Sequence, residues 1–520
     1  MFHAKPSSLA YSAAAIASVF CLVSQMQVQP AFSQGDADGN QKILHLLNRV
    51  TFGPRPGDVE DVKRMGVEKF LQQQLHPGTI PLPESLVSNL AGNDAINSSP
   101  MDIAQRYFQK AKGRKNAKNG GKPISIEEKK SLSKERKEAY GNLYTEASDA
   151  KLRRAVESPR QLEEVMVDFW FNHFNVSNNK GRDHLWTGAY EQQAIRPYAL
   201  GKFRDLVEAT SHHPAMLFYL DNWQNSKQGT EDDANKKKGK AKFKGLNENY
   251  ARELMELHTL GVDGGYSQKD VVELARILTG LGLPPQNPRL IGTVPPGRFG
   301  STFNSNRHDY GDKNFLGTAI KGSGEGEIDQ AIDLLCRAPA TAHHISYQLA
   351  QYFVADEPPK PLVERLTATY ERTDGDITAI LTQLFHSPEF WDSQYVKFKT
   401  PFRYIVSSLR AADIAPNDYK ACLNSLRQQG MPLYGCLTPD GYKNTQEAWL
   451  SPSSLLRRIQ FATGLGSGTL PNVQVEPVSP EQMTNSMKGM FDAKTLKLVA
   501  SSPVRMRTSI LLGSPEFMNH

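Results

Sequence analysis

Apolar residues recur along this chain at steps of three and four far more often than at steps of two. Leu162, Val165, Met166, Phe169, Trp170 and His173 fall on one face, the pattern of a helix laid against a core. Asp270, Val271, Leu274, Ala275 and Leu278 repeat it, with Ser267 placed to cap the start. A further helix runs through Thr341, Ile345, Leu349, Tyr352 and Phe353. It opens at Ala338-Pro339, where proline suits a first turn. Helices over residues 361–370 and 376–385 follow, divided by an Asp374-Gly375 turn. Ser387-Pro388-Glu389-Phe390 and Ser514-Pro515-Glu516-Phe517 echo one another, each with serine to cap and proline at the first helical position. Two copies are too few for a solenoid. The pattern predicts an all-α fold: a multi-helix globular array with long irregular loops and little or no β-sheet.

Composition adds a compartment. Of the 520 residues 39% are hydrophobic, which suits a water-soluble core. Lys5, an apolar run over residues 9–23 and Ala31-Phe32-Ser33 together have the form of a signal peptide over residues 1–33. An uncleaved signal anchor is the alternative. Export, periplasmic or extracellular, is therefore expected, with no membrane span after cleavage. Of the four cysteines, Cys21 would leave with the signal peptide. Cys422 and Cys436 flank a turn-rich segment and are expected to pair in an oxidising compartment, leaving Cys336 as a free thiol.

The formal net charge of +6 is unevenly spread. Residues 110–154 carry +8 and residues 227–244 carry +4, leaving the remainder at −6. Neither segment interleaves aromatic residues with its lysines, as a groove for single-stranded nucleic acid does, so no nucleic acid is expected as a partner. The chain thus divides into a helical N-terminal part (34–109), a basic, partly disordered insert (110–154) and a helical stretch (155–226). A lysine-rich disordered insert (227–244) precedes a helical remainder (245–520) that contains an irregular loop at 284–314. Asp36-Ala37-Asp38-Gly39 is half of a calcium loop without its closing acid and reads as linker.

Candidate chemistry is sparse. There is no His-Glu-x-x-His, Gly-x-Ser-x-Gly, phosphate-loop or Cys-x-x-Cys motif. Residues 247–261 (NENYARELMELHTLG) form the densest polar helix. Tyr250, Leu254, Leu257 and Gly261 make its apolar side, while Asn249, Arg252, Glu253 and Glu256 gather opposite. Two carboxylates one turn apart beside an arginine could bind a metal or act as an acid/base pair if buried, and are an ion-paired surface if exposed. His173 sits in an apolar stripe, where a hydrogen-bonded core histidine is the commoner outcome, with Asn172 on its flank. His308-Asp309 closes the irregular loop, and the paired ligands of HD-type phosphohydrolases would need partners that this loop does not supply. His212-His213 before Pro214 reads as cap and turn. Glu253 or Glu256 is expected to face inward and meet Arg252, Asn172, His173 or the His308 loop in a shared cleft.

Longer stretches carry a resemblance. HLLNRVTFGP (45–54), FWFNHF (169–174), PAML (214–217) with LDN (220–222), and NENYARELMELHTLGVDGG (247–265) resemble the bacterial family called domain of unknown function 1800. His308-Asp309, Lys313, FLG (315–317), SPEFW (387–391), GMPLY (430–434) and Gly441-Tyr442 continue it. The match covers roughly residues 42–518, and the two basic segments depart from the pattern. The resemblance implies an exported helical protein, often encoded beside a protein similar to sulfatases and alkaline phosphatases. It supplies no catalytic residue, metal or cofactor. Two functions remain open: an accessory or binding protein acting with such a sulfatase-like partner, or a hydrolase acting on an extracellular or periplasmic polymer through a His/Glu/Asn cleft.

Overall fold

The computed structural model describes residues 36–106, 126–228, 245–284, 298–471, 473 and 479–520. The signal-like segment and nearly all of the lysine-rich segment at 227–244 lie outside the described residues. The rest is helical, as the apolar spacing requires. The helices that build the site are α1 (Asp36–Val50), α2 (Ile126–Glu157), α3 (Gln161–His173), α4 (Phe203–His212), α5 (Asn249–Glu256) and α6 (Gln268–Ile277). They continue with α7 (Gly326–Arg337), α8 (Pro339–Phe353), α9 (Lys360–Thr373), α10 (Ile377–Phe385), α11 (Pro401–Ala411), α12 (Pro452–Gly466) and α13 (Val504–Leu512). Among the described residues, strand occurs as two antiparallel two-stranded ribbons. These pair β1 (Leu281–Gly282) with β2 (Thr302–Phe303), and β3 (Lys313–Phe315) with β4 (Thr318–Ile320).

Local signals fall where the sequence puts them. Ser267 and Asp270 form a reciprocal capping box at α6. The His213 ring accepts a hydrogen bond from the Ala215 N–H, capping the short helix that follows. Ser387 and Ser514 each cap a turn with proline at its first position. Asp374 and Gly375 take the positive φ that a tight turn between α9 and α10 needs.

One large hydrophobic cluster runs from Ile43 to Met518, and a small second one joins Leu86, Leu90, Ile96 and Ala150. α3 packs within the large one: Leu162, Val165, Met166, Val167, Trp170 and Phe171 are all buried, and buried Glu164 is paired with Arg196. Across long sequence separations, α1 is clasped by the residues after α8. Arg403 Nη1 donates to the Asn48 and Thr51 carbonyls, both at 2.7 Å. Arg49 Nη2 donates to the Ser393 carbonyl at 2.6 Å. Residues 518–520 lie antiparallel to residues 397–399 and hydrogen-bond to them, so the far end of the chain reaches the centre of the molecule.

Four expectations need correction. Cys422 and Cys436 are both buried free thiols, not a disulfide. Cys422 faces the core from the inner side of a helix (Lys420–Gln428), while the Cys436 thiol turns toward Thr438. The basic stretch expected as an insert over 110–154 is part core. Residues 107–125 lie outside the described ones, but α2 is one 32-residue helix, and its last turns bury Ala147, Ala150, Lys151, Leu152 and Val156. A continuing helix with an apolar face takes cationic side chains inside if carboxylates meet them. Asp36–Gly39 belong to α1 instead of a linker. The loop at 284–314 contains β2 and a single helical turn, Ser305–Arg307, with residues 285–297 outside those described.

Candidate functional site

A cleft of about 260 Å³ opens beside the C-terminal end of α3. α3 contributes Asp168, Asn172 and His173, α5 contributes Glu256, and α8 contributes His344, Gln348 and Tyr352. Arg403 of α11, the loop carrying Asp440 and Tyr442, and His520 complete it. Asn172, His173 and Glu256 thus line one cleft.

His173 is buried at the end of its apolar stripe, yet both ring nitrogens have partners. Nδ1 lies 2.7 Å from Gln348 Oε1 and Nε2 lies 3.1 Å from the His258 carbonyl. The other end of the same amide, Gln348 Nε2, lies 3.1 Å from His344 Nε2. His344 also bonds the Leu257 carbonyl. The four contacts form a chain with a carbonyl, which can only accept, at each end. Each contact needs one hydrogen, so four are required. Two neutral imidazoles supply two and the amide supplies one, whichever way it is turned. The chain is one proton short. Burial, with His344 nearby, pushes His173 down to about 4, and burial also lowers His344. The relay is thus held neutral, with one of its contacts lacking a hydrogen. Gly261, at φ +86°, lets the chain turn beneath His344, where a Cβ would stand 3.0 Å from the ring.

Asn172 does a different job. Its amide donates to the Tyr442 carbonyl at 2.9 Å and its oxygen accepts from the Tyr442 N–H at 2.8 Å. This two-bond clamp fixes the loop against the end of α3 and uses one amide hydrogen and one lone pair of Asn172. α5 is shorter than its pattern suggested, ending at Glu256. Glu253 is half-buried, and desolvation followed by repulsion from Glu256 raises its carboxyl. Arg252 spans Glu248 and Glu256 along the helix at 3.3 and 3.4 Å, and exposed Asn249 bonds the Leu220 carbonyl. These two belong to the helix surface and not to the cleft.

His308 and Asp309 do not join the cleft, contrary to expectation. His308 is fully buried, bonded to the Thr279 carbonyl at 2.8 Å and to Glu327 at 3.0 Å. Glu327 also takes the Lys313 ammonium. Asp309 receives the Arg276 guanidinium at 2.9 and 3.2 Å. Their loop is anchored on α6 and α7, so a polar loop found its counter-charges there and not on α5.

Sequence reasoning missed His344, Gln348 and His258. His344, Gln348 and Gln351 follow at steps of four and three on α8, a polar side that the apolar stripe through Ile345 and Leu349 overshadowed. Among the described residues no group of three or more His, Cys, Asp or Glu is arranged to hold a metal ion, and no helix is long and apolar enough to cross a membrane. No curated protein and no solved structure matches the chain. The sequence pattern of one family, described as a protein of unknown function (DUF1800), matches residues 45–519. With nearly its whole length matched, the chain belongs to the DUF1800 family.

Proposed function

We propose that the protein is an exported enzyme of hydrolytic type, acting by general acid–base chemistry on a polar substrate held in the α3–α5–α8 cleft. The observation that carries this reading is the proton-deficient His173–Gln348–His344 relay opening on that cleft. A buried histidine pair that is one hydrogen short is suited to take a proton from a water or hydroxyl brought against it. Glu253, raised by burial and by Glu256, lies on the helix that lines the same mouth. The signal-like start supports export, and an extracellular or periplasmic polymer is the substrate class that fits that compartment.

A second reading keeps the same cleft as a binding site in an accessory protein that serves a sulfatase-like partner. It is favoured by Val262, which lines the cleft while 67% exposed, an apolar rim of the kind partners use. The mature protein should be assayed on 4-nitrophenyl esters, glycosides, phosphates and sulfates. Turnover that survives in wild type and falls at least a hundredfold in His344→Ala and Gln348→Leu, with unchanged melting temperature, is expected. Turnover indifferent to both substitutions, or none on any substrate class, would defeat the enzymatic reading.

A further inference from the structure

Part of the cleft wall is cationic. Arg403, Thr400 and His520 line it. The His520 ring is surrounded by Arg403, Arg49, Lys399 and Lys397, whose charges all act on it. Each of these cations is at most 4% exposed. Lys397 pairs with Asp356 and donates to the Asn444 carbonyl at 2.6 Å. Lys399 has only the Ser407 hydroxyl at 3.2 Å and the Phe517 ring at 4.0 Å. Arg49 donates through Nη2 to two carbonyls, while Nε and Nη1 have no partner. Among the described residues Asp356 is the one carboxylate in ion-pair contact with any of the four. His520 is itself only 4% exposed, and its Nδ1 is buried with no hydrogen-bond partner among the described residues.

Burying several cations against one half-exposed carboxylate is unfavourable unless further negative charge arrives. An imidazole with an unpartnered nitrogen beside a guanidinium, at the wall of a cavity, is where that charge fits. We infer that this part of the cleft binds an oxyanion, a sulfate, phosphate or carboxylate group carried by the cleft's ligand. Such a group offers several acceptor oxygens to a guanidinium and an imidazole at once. Burial pushes Lys399 and Arg49 well below their ordinary values, and a bound anion relieves that pressure. The inference rests on the cleft being a ligand site and adds the chemical class of its ligand.

The test uses the whole mature protein, titrated with sodium sulfate, phosphate or acetate against sodium chloride of equal ionic strength. Calorimetry and thermal shift are read together, because a ligand that binds the folded state alone raises its melting temperature. Saturable binding of at least one oxyanion is expected, and the three salts distinguish which. His520→Ala and Lys399→Met should each weaken it about tenfold, the scale of one charge-assisted hydrogen bond. The second variant removes charge while keeping an apolar stem over Phe517, so it reports even if the first folds poorly. No saturable response, as expected if a counter-charge within the chain already serves these cations, would overturn the inference. Equal binding in both variants, an adventitious ion only, would overturn it as well. Turnover of neutral substrates that depends on His344, without any anion response, removes this inference and leaves the acid–base reading standing.

Discussion

Glu327 illustrates how one buried side chain can organise a loop without taking part in chemistry. It is fully buried, meets the Lys313 ammonium and His308, and accepts the Gly324 N–H at 2.8 Å. Glu327→Gln keeps the shape but leaves Lys313 as an uncompensated buried charge. The expected loss is about 3–5 kcal/mol, the range for breaking a buried pair, measured by urea unfolding. Ligand binding in the cleft should be unchanged for whatever fraction stays folded. A stable Glu327→Gln variant with altered cleft binding would show that this network belongs to the site after all. The same logic explains why His308 and Asp309 stood out as candidates. A His-Asp pair in a polar loop has one sequence signature whether it serves a ligand or a lysine, and only the position of Glu327, 18 residues further on, decides.

At the scale of elements, the cleft is held open by the docking of a loop on a helix end. Gly441, at φ +68°, lies where a Cβ would run into the Asn172 carbonyl oxygen. Gly441→Ala combines a strained backbone with that clash. It is expected to lower stability by about 1–3 kcal/mol and to weaken ligand binding, since the Asn172–Tyr442 clamp cannot close. A melting curve and a binding isotherm check both halves; unchanged affinity would separate the loop from the site. How far such elements could be read beforehand follows the range of the interaction. Helices α3, α6 and α8, the caps at Ser267 and Ser387 and the turn at Asp374 are written in residues a few places apart. Asn172, His173 and Glu256 could be proposed because their own helices carry the polar positions. The His173–Gln348 contact spans 175 residues, and nothing local to either residue announces it. Arg403, Lys399 and His520 escaped for the opposite reason: cations normally mark surface, so their burial is visible only once the fold surrounds them.

For the whole molecule, the histidines set the response to acid. Burial lowers His45 to about 3, His173 to about 4, and His212 and His213 to about 3. It also lowers His258, His344 and His520. An unfolded chain takes up these seven protons near the ordinary value of 6.5, whereas the folded chain refuses them until far lower pH. Stability is therefore retained above 6.5 and declines as pH falls from there toward the folded values. Each such group contributes up to about 1.4 kcal/mol per pH unit. Seven together can exhaust a typical reserve of ~5–15 kcal/mol within about two units. Cooperative acid unfolding near about pH 5 is expected by circular dichroism, with His386, exposed and paired to Glu68, too solvated to offset it. A fold intact at pH 3.5 would contradict the assigned neutrality of these rings.

The clasp around α1 also bears on how the chain comes to be folded. His45 bonds the Phe390 carbonyl, 345 residues away, and Arg410 bonds the Gly53 carbonyl across 357. The first described helix can settle on α3 early, but its clasp is complete only when some three-quarters of the polypeptide has been made. Contacts of such sequence separation slow folding and keep apolar surface uncovered meanwhile. A nascent polypeptide cannot close this clasp until residues 390–410 have been made, so the apolar side of α1 that they cover stays exposed until late in synthesis.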